Sequence, residues 1–422
     1  MAQPTPLTTD MIPLSEIIKA QQRVKDVIVE TPFVENINLS HKYGCEILLK
    51  REDMQVVRSF KIRGAYNKIS GLTPAQTENG VICASAGNHA QGVAFACAKL
   101  KIKGKIYMPN PTPAQKINKV KLFGQDWVEI ILVGDTYDDA HAAALTASEA
   151  NAITFVHPFD DPAVIAGQGT IAVEILKQST EPLDYLLVAV GGGGLISGVG
   201  SYFKAVSPST QIIAVEASGA AALDQSLTQG KRVRLEQIET FADGIAVKQI
   251  GALTYEICKE VVDENITVDE GQICSTILQL YNDEAIVVEP AGAVSIAALD
   301  QLQDQIKGKR VGIIVCGGNN DVNRTQEITE RALLHEGKKH YFIIRFPQRS
   351  GALKEFLNVL GPDDDIAHFQ YTKKNNKASG PALVGIELAD ANDFDGLVSR
   401  MTQKGINFEH INNNPMLFEM LV

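Results

Sequence analysis

The sequence predicts an α/β protein: a mostly parallel sheet with helices on both faces, followed by a smaller unit of mixed strands and helices. Three observations predict it. From about residue 80, short apolar runs alternate with helical stretches. Glycine clusters fall at the junctions where a strand hands over to a helix. After about Leu334 the order of elements changes to βαββαβ.

In the first part, Val81–Ala84 reads as a strand before a helix over 90–100. Residues 105–108 precede a helix over 114–123, and 128–133 precede one over 138–150. Residues 185–190 lead into a helix over 195–206, and strands over 212–215 and 311–315 follow. β-Rich runs separated by helices imply parallel pairing, because a parallel partner is reached only through a crossover. In the last part, strands are read at 340–347, 366–373, 382–388 and 406–412, with helices at 351–360 and 394–404. That order is ferredoxin-like. The charged, glycine-bearing stretch 331–339 reads as a linker, which puts residues 1–337 in one domain and 338–422 in another. No repeat and no low-complexity tract interrupts either part.

Composition narrows the function. A chain of 422 residues exceeds one ordinary core. With 45% hydrophobic and 21% charged residues it is ordinarily globular, and its net charge of −11 argues against nucleic acid or an anionic membrane as partner. No run approaches the roughly 20 apolar residues of a membrane span, and the first residues carry no basic-then-apolar signal. The six cysteines are scattered without a CxxC pair, so reduced thiols in a cytoplasm are expected, with no metal centre.

Four segments carry candidate chemistry. Lys61 lies in Ser59-Phe60-Lys61-Ile62-Arg63-Gly64-Ala65, with apolar neighbours on each side and small residues after it. A lysine becomes a nucleophile when its amine is shielded and held neutral; the local sequence fits a surface lysine equally well. Gly191-Gly192-Gly193-Gly194-Leu195 joins a strand to a helix. Bare backbone N–H groups there, with a helix N-terminus, make an anion cradle. No GxxxxGK[ST] supports a triphosphate loop, while a dinucleotide site stays open through Glu216. Ser85-Ala86-Gly87-Asn88-His89-Ala90 also opens a helix, so Asn88 reads as a ligand donor, an N-cap or both, and His89 is read as packed. Cys316 ends the strand 311–315, where ligands gather in open α/β sheets, although a core thiol fits too.

Together these segments resemble the tryptophan-synthase-β-like (fold type II) pyridoxal-phosphate enzymes, and among them the biosynthetic threonine dehydratases of short form. Residues 59–65 are similar to the family's cofactor-lysine motif, 84–92 to its asparagine loop and 191–195 to its phosphate loop. Phe241-Ala242-Asp243-Gly244-Ile245-Ala246-Val247 and Val288-Glu289-Pro290-Ala291-Gly292-Ala293 match further family segments. The resemblance runs from about residue 15 to 330.

The resemblance implies pyridoxal 5'-phosphate as cofactor and two parallel-sheet subdomains, the smaller inserted at about 52–155. It implies that Lys61 carries the cofactor as a Schiff base and then moves the Cα proton. Asn88 would bond the cofactor's 3′ oxygen, and Gly191, Gly192, Gly193, Gly194 and Leu195 its phosphate. Phe60, Gly244, Glu289 and Cys316 would complete the cofactor pocket, while Ser85, Gly87, Asn88 and His89 would receive the substrate carboxylate. Cys316 is a weak, neutral partner for the pyridine nitrogen, which favours loss of the β-hydroxyl over transamination or racemisation.

The expected reaction is deamination of L-threonine to 2-oxobutanoate and ammonia, with L-serine as a second candidate substrate. Threonine dehydratases more often show serine at the position of Cys316, so the serine-to-threonine preference stays open. Serine racemases of this fold have a serine where this chain has Ala86, so racemisation should be poor. Their cation site includes an aspartate where this chain has Ala222, although Glu216 matches, and no metal is expected.

The C-terminal unit resembles ACT-like regulatory domains through Phe346-Pro347-Gln348-Arg349-Ser350-Gly351-Ala352-Leu353. The resemblance implies a homo-oligomer, dimer or tetramer, with isoleucine, and valine in second place, as effector. A purely structural dimerisation unit is the alternative. Competing functions are a catabolic serine/threonine dehydratase, a β-replacement synthase, and a non-catalytic amino-acid sensor on the same fold.

Overall fold

The computed structural model describes residues 11–371 and 378–421. Contacts divide the chain into two units: Met1–Glu270 with Leu280–Asp321, and Gly271–Gln279 with Val322–Val422.

Among the described residues the first unit holds ten strands. In chain order they are β1 (Phe33–Glu35), β2 (Glu46–Arg51), β3 (Val81–Ala84), β4 (Gly104–Met108) and β5 (Val128–Leu132). Then come β6 (Thr154–Phe155), β7 (Tyr185–Ala189), β8 (Gln211–Ala217), β9 (Glu264–Val268) and β10 (Arg310–Val315). They form a six-stranded sheet in the order β1-β2-β10-β7-β8-β9 and a four-stranded sheet in the order β5-β4-β3-β6. Every pairing is parallel except β1 with β2. The central strands are near-continuous apolar runs, as a sheet covered on both faces requires: Leu186, Leu187 and Val188 in β7 and Val311, Ile313, Ile314 and Val315 in β10 are fully buried.

Helices fill both faces. The Pro162–Gln178 helix begins on Asp161, whose carboxylate accepts from the N–H groups of Ala163 and Val164, with proline at the first position. It packs on the Gly194–Val206 and Lys61–Ser70 helices.

The second unit contains β11 (Lys339–Pro347), β12 (Asp365–Tyr371), β13 (Ser379–Glu387) and β14 (Phe408–His410), all antiparallel, in the order β12-β13-β11-β14. Its core includes Phe342, Ile344, Phe356, Val384, Ile386, Leu397 and Met401. The βαββαβ order is present, with helices Ala352–Leu357 and Phe394–Gln403, and a further helix, Pro415–Leu421, follows it.

Some expectations need correction. The linker expected over 331–339 is not one. Residues Arg331–His335 are the last turns of the Thr325–His335 helix, and Lys339 opens β11, so only Glu336, Gly337 and Lys338 connect. Charge and a glycine marked the helix's solvated end, where Gly337 turns at φ +67°. The helix expected over 351–360 starts at Ala352, because Gly351 is its N-cap at φ +85°, and it ends at Leu357. Thr372 and Lys373, placed in a strand from the sequence, lie outside the described residues.

Candidate active site

The asparagine loop, the glycine loop and Cys316 follow directly from the C-terminal ends of β3, β7 and β10 in the first unit. The lysine segment is stitched to the end of β10. Ser59 bridges Gly317, the Phe60 N–H donates to the Cys316 carbonyl at 3.2 Å, and the Gly318 N–H donates to the Arg58 carbonyl at 2.9 Å. Lys61 is therefore the first residue of its helix and stands beside Cys316. Its Nζ donates to the Pro158 carbonyl at 3.0 Å and lies 5.2 Å from the centre of the Phe60 ring.

Loss of water lowers the Lys61 amine to about 8, against a smaller upward pull from ionised Glu289. About a tenth is thus neutral at pH 7, far more than for a solvated lysine, and the neutral amine is the nucleophile. Gly92 lets the Asn88–Leu100 helix pass close by: a Cβ there would lie 3.1 Å from the Lys61 carbonyl.

The glycine segment is a cradle. Gly193 takes φ +86°, a conformation that favours glycine, and the Gly194–Val206 helix starts immediately after it without a side-chain cap. A Cβ on Gly191 would lie 2.5 Å from the Ile245 carbonyl oxygen, and Gly194 packs on Phe159. Leu195 is buried in the first turn. The first-turn N–H groups are left for an anion.

Asn88 opens its helix, with Gly87 at the N-cap, and the Ser85 hydroxyl accepts from the Gly87 N–H at 3.2 Å. The Asn88 side chain is not the N-cap considered from the sequence. Its Nδ2 donates to Glu289 Oε1 at 2.6 Å, and its Oδ1 accepts from Asn319 at 2.7 Å. His89 is buried with its Nε2 2.9 Å from the Val156 carbonyl, and burial, helped by Lys61, pushes it down to about 3. The ring is neutral and packed, its Nε2 is engaged by the Val156 carbonyl, and its Nδ1 is buried without a hydrogen-bond partner.

Glu289 caps the Pro290–Ala297 helix and is 5% exposed. Burial raises it to about 7, with Asp243 adding to the shift and Asn88 opposing it. Gly244 lies alongside: a Cβ there would come 2.8 Å from the Ala291 Cβ and 3.7 Å from Glu289 Oε1. Cys316 is buried and its thiol donates to the Ala291 carbonyl at 3.1 Å. Desolvation and the nearby Glu289 push that thiol far above its usual range, so it is neutral.

A desolvated lysine, an uncapped helix end with a glycine-lined approach, an amide and a neutral thiol suit a phosphorylated aromatic aldehyde. The residues present therefore fit pyridoxal phosphate.

Comparison with known proteins agrees. Residues 24–317 match the family described as pyridoxal-phosphate dependent enzyme, and residues 330–421 match the C-terminal regulatory domain of threonine dehydratase. The biosynthetic L-threonine dehydratase of Bacillus subtilis is 56% identical over 414 residues, 98% of each chain. The chain belongs to the biosynthetic threonine dehydratases.

Their counterpart in Halalkalibacterium halodurans is 54% identical over 97% of this chain and 99% of its own. Among solved structures, the processed threonine deaminase isoform 2 of Solanum lycopersicum superposes with a TM-score of 0.74 at 40% identity, covering 79% of this chain and 91% of that one. Serine racemase from Dictyostelium discoideum gives 0.68 at 32%, covering 74% and 100%. The cofactor of this family is pyridoxal phosphate, and its fold type II architecture is the one expected from the motifs.

Glu216, the residue shared with the racemase cation site, is buried and spent on the helix that follows it. Its carboxylate accepts from the Leu223 and Asp224 N–H groups at 2.8 Å each and from Asn265 at 3.2 Å.

The sequence reading missed what lies beneath Lys61. Arg63 is fully buried and bonds both Glu52 and Glu174, while Lys50 bonds Glu174 at 2.7 Å. Arg63 was visible in its motif, but its partners lie 11 and 111 residues away. Asn319 and Lys119 were missed for the same reason, since no local pattern marks them. Among the described residues no helix is long and apolar enough to cross a membrane.

Proposed function

We propose that this chain deaminates L-threonine to 2-oxobutanoate and ammonia by eliminating the β-hydroxyl, as the committed step toward isoleucine, under control of its C-terminal unit. The observation that carries the reading is Lys61: a desolvated amine between the uncapped glycine loop and the Asn88 helix end. Lys61 would hold the cofactor, the first turn after Gly193 its phosphate, and Asn88 its phenolic oxygen. Bound there, pyridoxal phosphate supplies an electron sink for the pair released when the substrate's Cα proton leaves.

The chain's own residues do the rest. The N–H groups of the Asn88 helix end, with Ser85 and Gly87 leading into it, orient the substrate carboxylate. The Lys61 amine, poised near 8, takes the Cα proton and can return one to the leaving hydroxyl. The neutral Cys316 thiol, already donating to Ala291, supplies no charge to hold a ring proton. That favours prompt departure of the hydroxyl. L-Serine fits the same groups as a smaller substrate.

The reading includes feedback inhibition by isoleucine, supported by the regulatory-domain match over 330–421; valine is the second effector to try. Inhibition requires isoleucine to bind the less active state more tightly. A cytoplasmic setting is supported by six free, buried cysteines. A homo-oligomer, with a tetramer as the first expectation, is supported by the exposed apolar side chains Val34 and Ile37 beside the edge strand β1.

The test is to follow 2-oxobutanoate from L-threonine with and without isoleucine. Product formation suppressed by isoleucine supports the whole reading. Unsuppressed product keeps the reaction and removes the effector, and no product from threonine or serine despite bound cofactor removes the reaction.

A further inference from the structure

The Asn88 amide stands inside a chain of hydrogen bonds whose Lys119 end has fixed polarity. At that end is the Lys119 ammonium, which can only donate. Its Nζ donates to Asn319 Oδ1 at 2.9 Å. The Asn319 nitrogen then faces two acceptors, the Val57 carbonyl at 2.8 Å and Asn88 Oδ1 at 2.7 Å. Asn88 Nδ2 in turn donates to Glu289 at 2.6 Å, and an ionised carboxylate only accepts.

Neither amide can be turned over without a mismatch. Reversing Asn319 sets its nitrogen against Lys119 and its oxygen against Val57. Reversing Asn88 sets its nitrogen against the Asn319 nitrogen and, with Glu289 ionised, its oxygen against that carboxylate. In the orientation so fixed, Asn88 keeps one N–H beyond the bond to Glu289, available to an acceptor in the pocket.

The chain also crosses between the two sheets of the first unit at each link. Lys119 lies on the Ala114–Gly124 helix, which packs on the four-stranded sheet's β5 and on the Asn88–Leu100 helix. Asn319 follows β10 of the six-stranded sheet. Asn88 follows β3 of the four-stranded sheet, and Glu289 begins a helix packed on β10 and β7. A second tie from the same helix, Lys116 to Asp243 at 2.6 Å, spans the same gap.

We propose that Lys119 and Asn319 are positioning residues that, with Glu289, hold the Asn88 amide with its nitrogen toward the cofactor, so that grip on the cofactor depends on the two sheets being closed together. This rests on the reading of Asn88 as a cofactor contact. Lys119 and Asn319 touch no reacting atom; they act through the amide. Loss of either end would let Asn88 present its oxygen to the cofactor's phenolate oxygen, an acceptor facing an acceptor.

The test uses the full-length holoenzyme and reads cofactor retention on dilution, the wavelength of the cofactor absorbance band, and the melting temperature. Asn319→Asp is close to isosteric and keeps the contact with Lys119, but sets two acceptors face to face at Asn88. Lys119→Met removes the donor, and Lys119→Arg restores a donor-only cation. Asn319→Asp and Lys119→Met should each weaken cofactor retention about tenfold and move the band, while Lys119→Arg stays near the parent.

Parent-like retention and band position in both loss variants would overturn the proposal. So would a Lys119→Arg protein as impaired as Lys119→Met, which would show packing and not polarity at work. If Asn319→Asp does not fold, the Lys119→Met and Lys119→Arg pair decides alone. A parent chain that retains no pyridoxal phosphate would instead overturn the reading of the site itself.

Discussion

Arg63 grips both carboxylate oxygens of Glu174, Nη1 to Oε1 at 2.6 Å and Nη2 to Oε2 at 2.8 Å, two residues along the helix that Lys61 begins. The same guanidinium bonds Glu52 at 2.7 and 2.8 Å. Burial alone would disfavour its charge, but the two carboxylates outweigh that and hold it protonated. Lys50 supplies the second cation, bonding Glu174 and the Thr31 carbonyl at 2.7 Å each. Two cations and two anions thus lie together, all buried, beside the nucleophile.

Removing one member should therefore cost far more than a surface ion pair. Arg63→Ala leaves Glu52 facing a buried void and Glu174 with Lys50 alone, and should destabilise the chain by about 3–5 kcal/mol. Chemical denaturation of parent and variant measures this. A loss below about 1 kcal/mol would show that the cluster is hydrated or adaptable.

Lys61→Ala should abolish the cofactor absorbance band and lower threonine turnover by about a thousandfold or more. Absorbance of the purified protein and 2-oxobutanoate formation check the two halves separately. A variant with parental turnover would remove Lys61 from the chemistry.

The lowered Lys61 amine makes a pH prediction with a definite sign. The neutral amine is the nucleophile, and it accumulates as pH rises toward about 8. Uptake of pyridoxal phosphate by cofactor-free protein should thus accelerate with pH and level off just above 8. Glu289, titrating near 7, faces the same pocket, and its ionisation pulls the amine upward. An unshielded lysine would keep accelerating to about pH 10, so a curve still rising beyond 9 would show that the pocket does not desolvate Lys61.

Ala86, half-buried between β3 and the Asn88 helix, carries no group able to exchange a proton. Ala86→Ser should raise racemisation of L-serine by about tenfold or more over the parent. Chiral analysis of recovered serine reads it, and an unchanged D-serine yield would remove the hydroxyl's role from the difference between elimination and racemisation.

Much of this molecule was legible in one dimension. Apolar runs such as Val311–Val315 and the glycines between β7 and its helix mark strands and anion cradles through local rules, because backbone conformation and periodicity depend on near neighbours. The motifs around Lys61, Asn88 and Gly191 named the cofactor only through their resemblance to a known family, since the residues around Lys61 fit a surface lysine equally well. Local signals misled only at edges. The charge and glycine of 331–339, read as a linker, were the solvated last turns of a helix and the residues just beyond it.

What only the tertiary structure decided was which charges meet. Glu174 comes to Arg63 across 111 residues, Asn319 to Asn88 across 231 and Glu289 to Asn88 across 201. None of these pairings has a sequence signature, because a carboxylate or an amide looks the same whether it is solvated or buried. Its partner is chosen by the crossover topology, which brings the loop after β3 in one sheet to the loops around β10 in the other. The sequence determined that a lysine, a cradle and an amide exist; the fold decided that the lysine is dry, the amide has one orientation and the cations beneath them are paired. Burial is a collective property, and removing water is what turns these ordinary side chains into a site.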